Sequence, residues 1–502
     1  MNKLLKEIDF GEPDANAEYI ISLRSKQLPL YIRAWSQPEI RNYEGFENGS
    51  KFIISGQKGT GKTAILRQME ASAKNLGYVT EFIVFKNEII REAELLKVDY
   101  SNFNGSVVDE DKLKSNKFYY HAIKRVMVSL LISKLKVLKV DANDPQKSLI
   151  ERLIGSSGKE ALRFAFDSIV NIAQSSEVDL EKLSKGFVKI DPAQLLKKTN
   201  DELLTKAVRL SLEENPKIRI YFDEMHFAYR DKESLHSDAA LVRDTILAAQ
   251  ALNERFAQEG LDIVIYIAIR KEFLDQPEIA EVDVVHVIES YGEAITWEHY
   301  PADSKHPIFD FIALRFAIAL GKKFTRKKLL DTYLKNIDPE DLLTYTWSKP
   351  RDLVRFFKAA QGVDGNTVVI GSEKYKIILR TYCNQAWQEC KSALAAFIPA
   401  DVTPSLENAL KILIQGQFDG DKTLGYDRFC QVIKPSFDKA TASGVRYDIH
   451  HFCKVLYMLG VFYYYYDDVN GQRIYQQYHR GNANPPLDGN IRIHSAVAKA
   501  LS

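Results

Sequence analysis

From Lys51 onward, short apolar runs alternate with stretches whose apolar residues recur at helical spacing. KFIIS (51–55) reads as a short apolar strand, and AILRQMEASAKNLG (64–77) as an amphipathic helix closed by Gly77. A second strand is predicted at 79–85. Residues 115–214 are dominated by helical periodicity, as in FYYHAIKRVMVSLLISKLKVL and PAQLLKKTNDELLTKAVRLSL. IRIYF (218–222) is a third strand, a helix follows near 238–258, and IVIYIAI (263–269) is a fourth strand. A last short strand is expected at 282–288. Strands alternating with helices define an α/β class, with a mostly parallel sheet covered on both faces.

Outside this region the pattern changes. Pro13, Pro29 and Pro38 punctuate a mixed N-terminal arm, residues 1–50. From about 307 the chain reads helical to its end, apart from one hairpin. The expected division is therefore an arm (1–50), a core (51–300, with a helical insertion at about 100–215), a helical lid (301–400) and a C-terminal domain (401–502). In the last of these, Ile449, Phe452, Cys453, Leu456 and Leu459 fall on one helical face, and Gly460 suits the helix C-cap. VFYYYYDDVNGQRIYQQYH reads as a hairpin turning at Asn470-Gly471. Three helices and a hairpin predict a winged-helix-like module.

Composition narrows the class. Hydrophobic residues are 45% and charged residues 27% of 502, ordinary for a globular protein with room for two or three domains. Lys plus Arg is 68 against 67 for Asp plus Glu, which argues against a chain coated in nucleic acid but not against a local basic patch. The four cysteines, Cys383, Cys390, Cys430 and Cys453, lack CxxC spacing and read as reduced thiols of an intracellular protein. MNKLLKEIDFGEPDA lacks the apolar core of a signal peptide, and no apolar run approaches the roughly 18 residues of a membrane span. A cytoplasmic protein with no membrane partner is the expectation.

The chemistry centres on two places. Gly56-Gln57-Lys58-Gly59-Thr60-Gly61-Lys62-Thr63, followed by Ala64, matches GxxxxGK[ST] between a strand and a helix. Glycines let backbone N–H groups turn inward onto phosphates, and the helix end adds its positive dipole. Lys62 is expected to reach the β and γ phosphates and Thr63 to ligate Mg²⁺. IRIYF then delivers Asp223 and Glu224 at the C-terminal end of a strand, where open α/β sheets bind ligands. Asp223 is expected to hold Mg²⁺ through water, and Glu224 to polarise the water attacking the γ phosphate. The adjacent glutamate favours a hydrolysing ATPase over a switch GTPase, and the absence of an NKxD-type guanine reader supports ATP.

Secondary candidates surround this pair. Arg270 follows IVIYIAI and could sense the γ phosphate or act as an arginine finger toward a neighbouring subunit. In TWSKPRDLVRFF (346–357), Pro350 places Arg351 and Arg355 one turn apart, suited either to a lid or to an exposed basic face. Arg243 is a weaker finger candidate, and His226 a loop residue near the acidic pair. The long helical insertion is either a partner surface or structural padding. In the C-terminal module, Arg446, Lys454, Arg473 and Arg480 allow nucleic-acid binding, but protein–protein packing is favoured, and the basic run LGKKFTRKK (320–328) reads as a solvated face. His450 and His451 diverge on a helix and do not form a metal pair.

GQKGTGKTA, IYFDE, IAIRKEFLD and SKPRDLVRFF, in that order, resemble a group of bacterial P-loop ATPases related to the AAA+ and STAND classes and to origin-recognition-type ATPases. The resemblance covers roughly residues 40–360 and more loosely the C-terminal region. It implies an ASCE/AAA+-like P-loop NTPase core, with Lys62, Thr63, Asp223 and Glu224 in the site, Arg270 sensor-like and Arg351 as the lid arginine. It further implies ATP-driven switching or assembly, with further copies of the chain or a separate effector, in anti-phage defence. An ATP-switched nucleic-acid-binding regulator is the alternative.

Overall fold

The computed structural model of the chain describes residues 3–36, 40, 42–84, 118–136, 147–182, 192–225, 232–274, 282–297, 303–395, 397–418, 424–443, 445, 448–469, 473–478 and 489–502. In chain order, the first half contributes α1 (Ala15–Ser25), β1 (Ile53–Gly56), α2 (Lys62–Asn75), β2 (Val79–Val84), α3 (Phe118–Ser133), α4 (Gly158–Lys182), α5 (Pro192–Glu214), β3 (Ile218–Met225), α6 (Lys232–Gln258), β4 (Ile263–Arg270), α7 (Val282–Tyr291) and β5 (Gly292–Ala294). Among the described residues, five strands form one all-parallel sheet in the order β2-β3-β4-β1-β5.

Burial explains that order. All four residues of β1 and all of β4 except Arg270 are buried, because helices cover both faces of a parallel sheet. β2 and β5 are only partly buried, as the two edges must be. Helix α2 lies across β1 to β4, and α6 packs on β4 and against α3. Ile265 of β4 lies upstream of the point where β1 begins, since Ile53 stands opposite Ile267. The Asn253 side chain of α6 meets that gap. Its amide donates to the Ile265 carbonyl at 2.9 Å and accepts from the Ile265 N–H at 2.8 Å, satisfying a buried backbone pair.

The described residues between β2 and β3 are helical, as the periodicity indicates. Helix α3 is the hub, packing against α4, α5 and α6. Its buried Arg125 is held by Ser168 (3.0 Å) and Asn200 (3.3 Å), and burial lowers its guanidinium to about 10.

The strand expected at 282–288 is instead helix α7. Val284 and Val287 are buried while Val285 is exposed, and Ile288 and Tyr291 continue the 3.6-residue stripe. The fifth strand is the three-residue β5 that follows, pairing Ile53 with Gly292.

The second half contains α8 (Ile308–Leu320), α9 (Pro350–Asp364), α10 (Ser372–Leu394), α11 (Thr403–Phe418), β6 (Leu424–Gly425), α12 (Tyr426–Ala442), α13 (Ile449–Met458), β7 (Phe462–Asp467), β8 (Arg473–Gln476), β9 (Asn490–Ile493) and α14 (Ser495–Leu501). The expected hairpin is β7–β8, but it belongs to a larger antiparallel sheet, β6-β9-β7-β8. The expected turn at Asn470-Gly471 lies outside the described residues. The N-terminal arm clamps this half to the core. Phe10 stacks on Phe357 of α9 at 4.9 Å, its carbonyl accepts from Arg315 of α8 (3.0 Å), and Lys358 pairs with Glu12 (2.6 Å).

Gly460 ends α13 in the left-handed region, φ 72°, as the sequence suggests. Its carbonyl accepts from the Trp347 indole at 3.0 Å, and an added Cβ would stand 2.3 Å from that indole nitrogen. Gly460→Ala is therefore expected to destabilise the chain by about 2–3 kcal/mol through backbone strain and overpacking together. An unchanged midpoint in urea unfolding would reject that account.

Candidate functional site

The loop after β1 is shaped by two glycines. Gly59 (φ 91°) and Gly61 (φ 107°) lie in conformations that a side chain resists, and Gly61 is the N-cap of α2. Thr60 fixes the turn, its hydroxyl donating to the Gln57 carbonyl at 2.9 Å. The Trp297 indole donates to the Thr60 carbonyl (3.1 Å) and braces the loop from outside. Gly56 must lack a Cβ, which would stand 2.7 Å from the Thr60 hydroxyl. Lys62 folds back over the loop, donating to the Gly56 (2.7 Å) and Gln57 (2.9 Å) carbonyls. Gln57 is buried, and Thr63 and Ala64 form the half-buried first turn of α2. The first-turn N–H groups of a 14-residue helix thus face the same space, with its positive end.

Strand β3 brings the acidic pair to this loop. The register between β3 and β4 shifts between Phe222 and Met225, and Glu224 sits at φ 56°, a left-handed conformation unusual for a non-glycine residue. Such irregularities re-aim side chains at a strand end. Asp223 is 2% exposed, hydrogen-bonds the Thr63 hydroxyl and feels the Lys62 ammonium. Burial pushes its carboxyl above the usual carboxylate range, against the pull of Thr63, the Glu224 amide and Lys62. Among the described residues, the buried Asp223 Oδ2 has no hydrogen-bond partner. A hydroxyl beside an orphaned carboxylate oxygen is a donor set suited to a hard divalent cation. The Glu224 carboxylate accepts from the Asn16 side-chain amide of α1 at 2.9 Å.

The arginine candidates divide. Arg270 lies in register with Gly56 on the neighbouring strand, and its charge acts on Lys58. Arg351 stands against the loop, where a Cβ on Gly59 would come within 3.3 Å of the Arg351 Cβ. Pro350 opens α9, so Arg351 and Arg355 sit one turn apart, and both bind Glu389 of α10. Arg351 also lies 3.6 Å from Asp14, and Lys58 lies 3.4 Å from Glu389. Arg243, by contrast, pairs with its neighbour Asp244 at 2.9 Å, a residue whose charge bears on Tyr120 of α3. His226, Arg446 and Arg480 lie outside the described residues. Lys454 is half-buried on α13, and Lys322, Lys323, Lys327 and Lys328 are exposed around the buried Phe324.

Asn16 and Glu389 carry no local signal. Asp14 is visible as a helix N-cap, accepting from the Ala17 amide at 2.9 Å, but its second partner is not. Among the described residues no helix is long and apolar enough to cross a membrane. The chain matches no protein-family model and no curated protein.

Proposed function

We propose that the chain binds ATP with Mg²⁺ and hydrolyses it, and that its nucleotide state controls assembly with further copies or with a separate effector. The observation that carries this is the meeting of Thr63, Lys62 and the orphaned Asp223 oxygen at the C-terminal edge of a parallel sheet. β4 stands between the loop strand and the acidic strand, the interposed-strand arrangement expected of an ASCE-type P-loop core.

In this account the loop amides and the α2 N-terminus cradle the phosphates. Lys62 exchanges its two loop carbonyls for phosphate oxygens. Thr63 and Asp223 would hold Mg²⁺, which would supply positive charge against the phosphates. Glu224, turned off its strand by the left-handed backbone, orients a water in line with the γ phosphate and accepts its proton. Arg351 and Arg270 flank the loop from the lid and from β4, placed to balance the triphosphate charge.

Phosphate release from ATP by the full chain is expected to require Mg²⁺. EDTA in excess of the metal should return the rate to that of buffer alone. A rate indifferent to EDTA would assign the activity to something other than the Thr63–Asp223 pair.

A further inference from the structure

Glu389 lies far along the chain from the glycine-rich loop, yet its carboxylate touches three cations beside it. It accepts a hydrogen bond from Arg351, pairs with Arg355 on the same helix, and lies 3.4 Å from Lys58 inside the loop. The Glu389 side chain is only 16% exposed. Burial alone would raise its carboxyl, but Arg351, Arg355 and Lys58 outweigh burial and hold it well below the usual range. On the other side, burial lowers the Lys58 ammonium, Glu389 opposes that, and Arg270 and Arg351 reinforce it. Arg351, Arg355 and Lys58 thus crowd around the Glu389 carboxylate, with Arg270 acting on Lys58, and the buried Asp352 and the exposed Asp14 are the other anions of the cluster. Crowded cations of like sign favour the arrival of another anion.

We propose that Glu389 is the resident anion of this cluster, and that a γ phosphate competes with its carboxylate for Arg351 and Arg355. This rests on the ATP reading of the loop and adds how that site reaches the rest of the chain. The Arg351 stem lies beside Gly59 and its charge acts on Lys58 of the loop, so an anion bound along the loop meets the guanidinium that Glu389 holds. In this proposal the third phosphate is the one that reaches the guanidinium. Release of Glu389 loosens α10 from the loop. Helix α10 is tied onward at the same turn. Trp387 donates to Glu407 of α11 at 2.9 Å, Lys391 pairs with Glu407 at 3.0 Å, and the Cys390 thiol meets the Leu459 carbonyl at 3.9 Å. Glu389 is therefore a positioning residue through which the terminal phosphate is felt by the C-terminal helices and sheet.

The test compares full-length wild type, Glu389→Gln and Glu389→Asp by equilibrium titration with a non-hydrolysable ATP analogue and with ADP, each with Mg²⁺. Removing the competing charge is expected to tighten the ATP analogue on the order of 10-fold and leave ADP nearly unchanged. Glu389→Asp keeps the charge and should return toward wild type. Equal tightening for both nucleotides, or none for either, overturns the competition. Hydrogen exchange on the unmutated chain gives a second readout, needed if Glu389→Gln does not fold. Amides around 385–394 should exchange faster with the ATP analogue than with ADP, and identical exchange overturns the inference. If wild type binds neither nucleotide, the proposed function falls and this inference with it. If wild type binds both and only the Glu389 effects are missing, the inference falls alone.

Discussion

Glu224→Gln is expected to cut ATP turnover on the order of 10²–10⁴-fold while leaving ATP binding intact. The substitution preserves shape and removes only the ability to accept a proton. An oxygen remains to take the Asn16 amide hydrogen bond now made to Glu224, so the side chain keeps its anchor. The left-handed backbone at 224 is fixed by the strand irregularity between Phe222 and Met225 and is common to both side chains. Thr63, Asp223 and Lys62 are untouched, so the proposed partners of phosphates and metal stay in place. Phosphate release at saturating ATP, set beside equilibrium binding, separates the two effects. Turnover equal to wild type would remove Glu224 from the chemistry, and joint loss of binding would make it a structural residue.

Lys62→Ala is expected to weaken ATP binding about 10²-fold, the equivalent of roughly 3 kcal/mol for charge-assisted hydrogen bonds to two phosphates. The ammonium donates to the Gly56 and Gln57 carbonyls in the structure, so its geometry over the loop is already set. Its loss also removes a pull that favours the charged form of Asp223, whose carboxyl burial already raises. Metal affinity should therefore fall most toward acid pH, where a raised carboxyl takes up its proton first. Titration with Mg-ATP across pH, with thermal unfolding as the control on fold, checks both parts. Affinity within a few-fold of wild type would reject the phosphate role of Lys62.

The sequence was most legible where one element alone decides the structure. β4 is buried on both faces and appears as an unbroken apolar run up to Arg270, β3 as an apolar run broken by Arg219 before its acidic end, and the glycines at 59 and 61 announce a backbone that side chains resist. Pro350 likewise marks the first turn of α9. The helix at Val282–Tyr291 was hidden by its β-branched residues, whose helical stripe emerges only when Val285 is known to face outward. β6 and β9 have two and four residues, too few for a pattern. Asn16 and Glu389 are ordinary polar residues on helices, and what marks them is a partner supplied by a distant segment. Periodicity records which face of an element is covered, not which charge waits across a cleft.

The arm that clamps both halves has a consequence for biosynthesis. Asp14 and Asn16 emerge from the ribosome before Glu224, Arg315, Arg351 and Lys358, which receive the arm or its neighbours and follow it by hundreds of residues. Glu389 completes the set. Until Glu389 has been translated, the nascent chain cannot close its glycine-rich loop against α9 and α10, and contacts so far apart in sequence are slow to form.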